Sequence, residues 1–366
     1  MTECALRDNP VNFDTAAAGR PFPLLAQWYG ELLPLYSINP HGGTCYSERS
    51  RRLVVEAERR LLSLLKIPEE RADVIWTSGV TEALNLAATA FRDKEVLLDP
   101  GAHEALSKPL SVARSIRLQL ERDGRLHSDN QLDNVALSHV NNETGVEQDL
   151  VRIRLEMGNG LLLVDGAQSF CRIRIPWNDA KIDMLAISSR KIGGPASVGA
   201  LICRRGHASL KPLILGGGQQ HGMRSGTLDV CGIEMFVRTA ECLCATMAER
   251  QSRIKALNEE FFRCLKGFRW RNELVCGAGE RHIHMLHLPG FEGAVVSRIL
   301  AEDHGIMVAS SSACSAEHGG GSVTMRALGY SEQAAKEAVR ISFDSSCTPE
   351  EIHRLFEALD KTLEYF

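Results

Sequence analysis

Short apolar runs alternate with helical segments through residues 48–204, and this alternation is the strongest constraint on the fold. Continuous apolar runs are typical of strands that are buried on both faces of a parallel sheet. We predict such strands at 73–77, 95–99, 135–140, 161–165, 184–188 and 200–204. Apolar residues at helical spacing predict helices at 48–65, with Ser47 as the N-cap, and at 81–91 and 103–114. The pattern indicates an α/β fold with helices on both faces of a mostly parallel sheet.

The pattern changes after residue 230. One long helix is predicted at 231–265, and shorter elements follow it, namely strands at 281–288, 306–309 and 338–343 and helices at 293–302 and 349–363. This arrangement is typical of a smaller α+β domain. We therefore expect a large domain of residues 14–248 and a small domain formed by residues 1–13 and 249–366.

Charge and composition exclude several classes of partner. The chain has 42 Lys and Arg residues against 46 Asp and Glu, so no basic excess favours nucleic acid. No apolar run reaches the roughly 18 residues of a membrane helix, and no signal peptide is visible at the start. The 11 cysteines are then expected to be free thiols in the reducing cytoplasm.

Polar residues follow two of the predicted strands, where ligands of open parallel sheets bind. In TSGVTEALNLA, a turn leads to Val80 and Thr81 at the start of a helix, whose N–H groups could hold an anion. A simple helix cap by Thr81 is the alternative. In VDGAQS, Asp165 and Gln168 could contact a ring nitrogen and a ring oxygen, or Asp165 could only cap a helix.

A lysine follows a third strand. Lys191 in SSRKIGGP could form a Schiff base if its pKa is lowered, and Ser188 and Arg190 could hold a phosphate. A solvated basic loop is the alternative. Further along, the glycine-rich loop 216–230 contains Thr227 and is typical of an anion-binding or interface loop.

One cysteine lies in an unusual context. Cys314 stands among small residues in SSSACSAEHGGG, which suits an exposed nucleophilic thiol, although a buried structural cysteine is the alternative. His282 and His284 share a strand face, but no cysteine or carboxylate lies nearby at ligand spacing, so no metal site is expected. Lysine, carboxylate, phosphate site and thiol together indicate pyridoxal phosphate chemistry.

The sequence resembles the cysteine desulfurases, within the fold-type I (class V aminotransferase) group of pyridoxal phosphate enzymes. HVNNETGVEQDL at 139–150 and GMRSGTLDV at 222–230 are highly specific to that family, and SSRK, SSSACSA, RALG and VRISF also match. The resemblance implies a large domain with a mostly parallel seven-stranded sheet and a smaller α+β domain at the C-terminal end.

The resemblance also implies roles for five residues. Lys191 is similar to the lysine that binds the cofactor and later moves the proton at Cα. Asp165 resembles the partner of the pyridine nitrogen, and Gln168 resembles the residue that contacts the ring hydroxyl. His103 resembles the imidazole that stacks on the ring and acts as an acid or base, and Cys314 resembles the sulfur acceptor.

Phosphate and substrate have further expected ligands. The residues that resemble phosphate ligands are Val80, Thr81, Ser188, Arg190 and, donated by the neighbouring subunit of a homodimer, Thr227. The residues that resemble the grip on the carboxylate of L-cysteine are Asn39, Asn142, which also contacts the cofactor, and Arg340.

The implied reaction converts L-cysteine to L-alanine, with a persulfide on Cys314 that is passed to a protein acceptor, as in the long-loop desulfurases. Selenocysteine lyase, another class V reaction such as β-elimination, and a catalytically weak sulfur-relay subunit are alternatives. Arg190 replaces a usual histidine, Asp344 and Ser345 replace a common Gly-Arg, and the chain ends at Phe366 without the family's scaffold-docking extension. These departures favour a specialised sulfur-modification pathway.

Overall fold

A computed structural model describes residues 10–111, 113–127, 133–206, 209–310 and 321–366, so Cys314 lies outside the described residues. The strands are β1 Val11–Asn12, β2 Ala72–Thr77, β3 Glu95–Leu98, β4 Arg114–Arg117, β5 Gln119–Leu120, β6 Leu126–His127, β7 Asn134–Ser138, β8 Leu162–Asp165, β9 Met184–Ser188, β10 Gly199–Arg204, β11 Glu273–Leu274, β12 Ile283–His287, β13 Ile306–Met307, β14 Ala309–Ser310 and β15 Ala338–Ser342. The α-helices are α1 Leu25–Tyr36, α2 Cys45–Leu64, α3 Val80–Ala88, α4 Glu104–Leu110, α5 Leu150–Glu156, α6 Val230–Ala245, α7 Met247–Gly267, α8 Gly293–His304, α9 Val323–Ala327, α10 Glu332–Lys336 and α11 Pro349–Leu363.

Seven strands form the large sheet in the order β2-β10-β9-β8-β7-β3-β4. Only β10 runs antiparallel to its neighbours, whereas the pairs from β9 to β4 are parallel. Alternate residues of the central strands enter separate cores, with Leu185 and Ile187 on one face and Met184 and Ala186 on the other. The predicted mostly parallel seven-stranded sheet, covered on both faces, is confirmed.

A second sheet has four antiparallel strands in the order β11-β12-β15-β14. Its core is an aromatic cluster in which Phe261 of α7 packs against Phe343 after β15 and Phe356 of α11. The N-terminal strand β1 joins this region by pairing in parallel with β13. None of the helices in the described ranges combines the length and apolar character that a bilayer span requires.

Three predicted boundaries are wrong for local reasons. The predicted helix 231–265 is two helices, because Thr246 leaves the helical conformation and its hydroxyl donates to the carbonyl of Cys242. The helix predicted at 48–65 begins earlier, with Thr44 rather than Ser47 as its N-cap. The helix predicted at 103–114 ends early, and its last residue belongs to β4 instead.

Gly145, within the motif HVNNETGVEQDL, packs closely against the start of β12. Gly145 has a φ of 70°, and a Cβ built on it would lie 2.4 Å from the carbonyl oxygen of Ile283 at the start of β12. A side chain there would meet both backbone strain and a close backbone neighbour. Gly277 has a similar φ of 67°, but nothing lies within 4 Å of its virtual Cβ.

Gly145 and Gly277 allow the cost of a close backbone neighbour to be measured separately from the cost of backbone strain. We expect Gly277→Ala to lower the free energy of unfolding by about 1–2 kcal/mol, the cost of a left-handed alanine. Gly145→Ala adds a clash and should cost about 3 kcal/mol or more. Urea unfolding of both variants measures the difference, and equal losses would contradict the close contact with Ile283.

Candidate active site

The carboxyl ends of the parallel strands bring the predicted site residues to one edge of the large sheet. Asp165 and Ser188 are the last residues of β8 and β9, which pair in parallel. Lys191 follows β9 within the short 3-10 helix Arg190–Ile192. His103 lies beyond the end of β3, at the N-terminus of α4. Lys191, Asp165 and His103 also perturb one another's ionisation, which shows that their charges are close.

Lys191 is held in a partly buried position by the N-terminal segment. Its Nζ donates to the carbonyl oxygens of Ala16, at 2.9 Å, and Ala17, at 2.8 Å. Burial lowers the pKa of Lys191 to about 8, with further lowering by the charges of Arg340 and Arg172. A substantial fraction of the side chain is therefore a neutral, nucleophilic amine at mildly alkaline pH.

Asp165 is a buried carboxylate with a fixed orientation. One of its oxygens accepts from the backbone N–H of Ala167 at 2.9 Å. Burial raises the pKa of Asp165, while the neighbouring charges of His103 and Lys191 oppose that rise. A protonated pyridine nitrogen would give this carboxylate the cationic partner that stabilises its ionised form.

The tautomer of His103 follows from its helix-capping contact. Its Nδ1 accepts from the backbone N–H of Ala105 at 3.0 Å, so in the neutral ring the proton is on Nε2. Burial lowers the pKa of His103, although the Asp165 charge acts in the opposite direction. At neutral pH the residue therefore presents an Nε2–H donor to the site.

Gln168 and Arg172 connect the turn after β8 to the lysine. The Gln168 amide donates to the carbonyl oxygen of Ala16 at 2.8 Å, and its oxygen accepts from Arg172 Nη1 at 3.1 Å. Arg172 Nη2 donates to the carbonyl oxygen of Lys191 at 2.7 Å. Arg172 is not predicted from the sequence, because no local pattern distinguishes it from an ordinary loop arginine.

The expected phosphate site is built around the N-terminus of α3. Val80 and Thr81 open this helix, and Ser188 lies at the end of a neighbouring strand. The backbones of Gly79 and Gly199 approach so closely that a Cβ on Gly199 would lie 2.6 Å from Gly79 Cα. Free N–H groups at this helix start suit a phosphate.

An ion pair that the sequence analysis missed supports this helix start. Glu82 accepts from the backbone N–H of Ser78 at 2.7 Å and pairs with Arg224 Nε at 2.8 Å. Burial opposes ionisation of Glu82, but the hydrogen bonds from Arg224 and Ser78 outweigh it and lower the pKa. The pair joins the motif GMRSGTLDV to the start of α3.

Two of the three expected substrate ligands lie together. Arg340 Nη1 donates to the carbonyl oxygen of Asn142 at 3.0 Å, and Nη2 donates to Asp14 Oδ1 at 2.6 Å. Arg340 Nε and Asn142 Oδ1 are both buried without a hydrogen-bond partner among the described residues. An unpartnered buried donor and acceptor side by side indicate a site for a polar ligand.

Among the described residues, the side chains of Asn39, Arg190 and Thr227 are not brought into this arrangement. The side chain of Asn39 is exposed and accepts from the backbone N–H of His41 at 3.0 Å. Arg190 and Thr227 are exposed in this single chain. Cys314 lies outside the described residues. His284 is a structural residue, with Nε2 bonded to Asn258 Oδ1 at 2.8 Å.

The described residues fit the pyridoxal phosphate expected from the sequence. The lowered pKa of Lys191, the buried carboxylate of Asp165 and the Nε2–H of His103 suit its aldehyde, ring nitrogen and ring face respectively. Asn142 Oδ1 is an unpartnered acceptor, and nothing lies within 4 Å of a Cβ built on Gly79 at the start of α3, so polar contacts and steric room remain for the cofactor.

The pKa of Lys191 gives a direct test of this geometry. In cofactor-free protein, the rate at which Lys191 captures pyridoxal phosphate should rise with pH around a midpoint of about 8, measured by visible absorption. Arg340→Gln removes a positive neighbour, stabilises the ammonium and should shift the midpoint upward. Arg354→Gln on the exposed face of α11 should not. A wild-type midpoint at the ordinary lysine value would contradict the burial of Lys191.

Comparison with known proteins identifies the family. The family described as aminotransferase class-V matches residues 11–355. Cysteine desulfurase IscS of Pseudomonas putida is 32% identical over 346 residues, covering 85% of this chain and 82% of the relative. IscS of Pseudomonas entomophila is 31% identical over 377 residues, covering 94% and 90%. A NifS-like protein from Rickettsia africae shares the fold, with a TM-score of 0.87 at 23% identity, over 97% of this chain and 100% of that one. The chain therefore belongs to the cysteine desulfurases, a family of class V aminotransferases that depend on pyridoxal phosphate.

Proposed function

We propose that this protein is a cysteine desulfurase that converts L-cysteine to L-alanine and passes the sulfur to an acceptor protein. The observation that carries the proposal is the grouping of Lys191, Asp165 and His103 at the carboxyl edge of the sheet. The desulfurase names of its relatives support the choice of substrate.

Arg340 and Asn142 bind the substrate carboxylate in this proposal. The guanidinium already points one N–H at Asn142 and another at Asp14, and its Nε is unpartnered. A substrate carboxylate can take the place of the Asp14 carboxylate and keep the charge-assisted hydrogen bond. This exchange orients the amino acid with its Cα toward Lys191.

Lys191 and His103 are the residues that take or donate protons at the substrate in this proposal. When bound, pyridoxal phosphate withdraws electrons from the Cα of an amino acid that is joined to it. Asp165 holds the proton on the pyridine nitrogen, which increases that withdrawal. Once free as an amine, Lys191 Nζ can take the Cα proton, and the Nε2–H of His103 can donate to a developing negative charge.

Sulfur transfer requires a thiolate, and Cys314 is our proposed nucleophile. Its thiolate attacks the substrate sulfur, the bond from sulfur to Cβ breaks, and Cβ takes up the electron pair and a proton to give alanine. The residues that flank its segment are bound near the site. Ala309 pairs with Arg340 in the sheet, and Glu143 Oε2 accepts from Ser322 Oγ at 2.6 Å and from Thr324 N–H at 2.8 Å.

Several finer features belong to the same proposal. We propose that the protein is a cytoplasmic homodimer. Arg190, next to Lys191, contacts the phosphate of its own subunit, and Thr227 contacts the phosphate of the other subunit. The exposure of both residues in the single chain supports this arrangement. We propose that Asn39 reaches the substrate carboxylate from the exposed loop it occupies here. The separate cores of the two sheets support a division into residues 14–248 and 1–13 with 249–366. Arg190 stands where the family usually has histidine, and Asp344 stands where it commonly has glycine. These departures support a specialised sulfur acceptor.

Product analysis tests the reaction. With L-cysteine and a reductant, we expect wild-type protein to release alanine and sulfide in equal amounts, and Cys314→Ala to lose both because it removes the proposed sulfur acceptor. Cys242→Ala, at an exposed thiol of α6, serves as the matched control and should retain both products.

The same assay distinguishes the alternatives. Pyruvate and ammonia that persist in Cys314→Ala would indicate β-elimination. Turnover of selenocysteine without turnover of cysteine would indicate a selenocysteine lyase. A protein that binds the cofactor but turns over neither substrate would contradict the proposal and indicate a sulfur-relay subunit.

A further inference from the structure

A second cavity lies on the other side of the Lys191 segment, between the two sheets. Arg172 after β8, Arg250 of α7, His282 before β12 and Asp344 after β15 line a cavity of about 240 Å³. An adjoining cavity of about 390 Å³ shares Arg172, Arg250 and Asp344 and adds Arg20 and Lys191. The N-terminus of α3, where the cofactor phosphate is expected, takes no part in either cavity.

The charges that line this cavity do not balance. Arg172 and Arg250 face one shared carboxylate, that of Asp344. Arg20 lies 3.7 Å from Glu351 Oε2, and the other carboxylate of the lining, Glu280, is paired with Lys255. Asp344 is already engaged by the backbone N–H of Ser346 at 2.8 Å, and its other oxygen lies 3.9 Å from Arg20 Nε. Among the ion pairs of the described residues, none includes Arg172 or Arg250. Buried charges in proteins are normally paired, so the excess positive charge of this lining favours an anionic ligand.

Arg172 cannot move away to relieve this excess. Its guanidinium is fixed by hydrogen bonds to Gln168 Oε1 and to the carbonyl oxygen of Lys191. Burial lowers its pKa to about 10, which still leaves the side chain charged at neutral pH. Arg250 is likewise anchored, because its Nη2 donates to the carbonyl oxygens of Cys171 and Leu243.

Three residues that line these cavities have unpartnered hydrogen-bond donors. Arg250 Nε, Arg20 Nε and His282 Nε2 are buried and have no hydrogen-bond partner among the described residues. Burial lowers the pKa of His282 far below its usual value, so the ring is neutral and its Nε2–H tautomer can donate. Convergent donors with excess positive charge are typical of an oxyanion site.

We propose that this cavity is a second ligand site, which binds a small oxyanion of the carboxylate or phosphate type through Arg172, Arg250 and His282. Ile173, Ile254 and Phe343 give the cavity an apolar wall, and Gln251 and the paired Lys255 and Glu280 complete its rim. The volume admits only a small ligand, held mainly by charge-assisted hydrogen bonds from the two arginines. Because Arg172 contacts Gln168 and Lys191 directly, the bound anion would adjoin the catalytic residues.

Calorimetric titration of the cofactor-loaded protein tests the site. Inorganic phosphate is the probe in one series and malonate in the other, at constant ionic strength, and the cofactor itself blocks the α3 phosphate site. We expect saturable binding of one equivalent in at least one series, and the series that binds identifies the chemistry. Arg250→Gln should weaken that binding about tenfold or more, because it removes a charge-assisted hydrogen bond.

Two further variants keep the test decisive. Asp344→Asn removes the competing carboxylate and should tighten binding about threefold, an effect opposite to that of Arg250→Gln and not expected from a structural defect. Arg263→Gln, at an exposed arginine of the same helix α7, should bind as wild type does. Absence of binding in both series, or equal affinity in wild type, Arg250→Gln and Asp344→Asn, would overturn the proposal; if Arg250→Gln does not fold, Asp344→Asn decides alone.

Discussion

The short stretch of residues 14–17 fixes the relative positions of several active-site side chains through hydrogen bonds. The carbonyl oxygen of Ala16 accepts from both Lys191 and Gln168, and the Asp14 carboxylate accepts from Arg340. The backbone N–H of Ala16 in turn donates to Ser342 Oγ at the end of β15. One tight turn therefore connects the lysine of the large sheet with the arginine of the small one, and the site depends on both sheets at once.

Burial shifts the pKa values of Lys191 and Asp165 in opposite directions. It lowers the pKa of Lys191 and raises the pKa of Asp165, because each charged form loses solvation. The hydrogen bonds from Lys191 to two carbonyl oxygens favour the ammonium and limit the first effect. The lysine is therefore ionised enough to be held in place and neutral enough to react near its pKa of about 8.

The sequence predicts elements well where local signals agree and less well where distant contacts decide. Helix α11 has the predicted bounds, because Thr348 and Glu351 form a capping box around Pro349. The break at Thr246 was missed, since both flanking segments are good helices. Lys191 and Asp165 were found from their positions after strands, whereas Arg172 acts through contacts that only the folded chain creates.

The proposed replacement of the Asp14 carboxylate by the substrate carboxylate explains why Arg340 contacts Asp14 in the free protein. In the free protein, an unpaired Arg340 guanidinium beside Lys191 would be costly, because two cations would share a poorly solvated site. The Asp14 carboxylate offsets that cost at 2.6 Å, and it also raises the pKa of Lys191 slightly. A substrate carboxylate brings the same charge, so it can replace Asp14 without leaving a cation unpaired. Charge neutrality thus favours an amino acid with a free carboxylate over an amine without one.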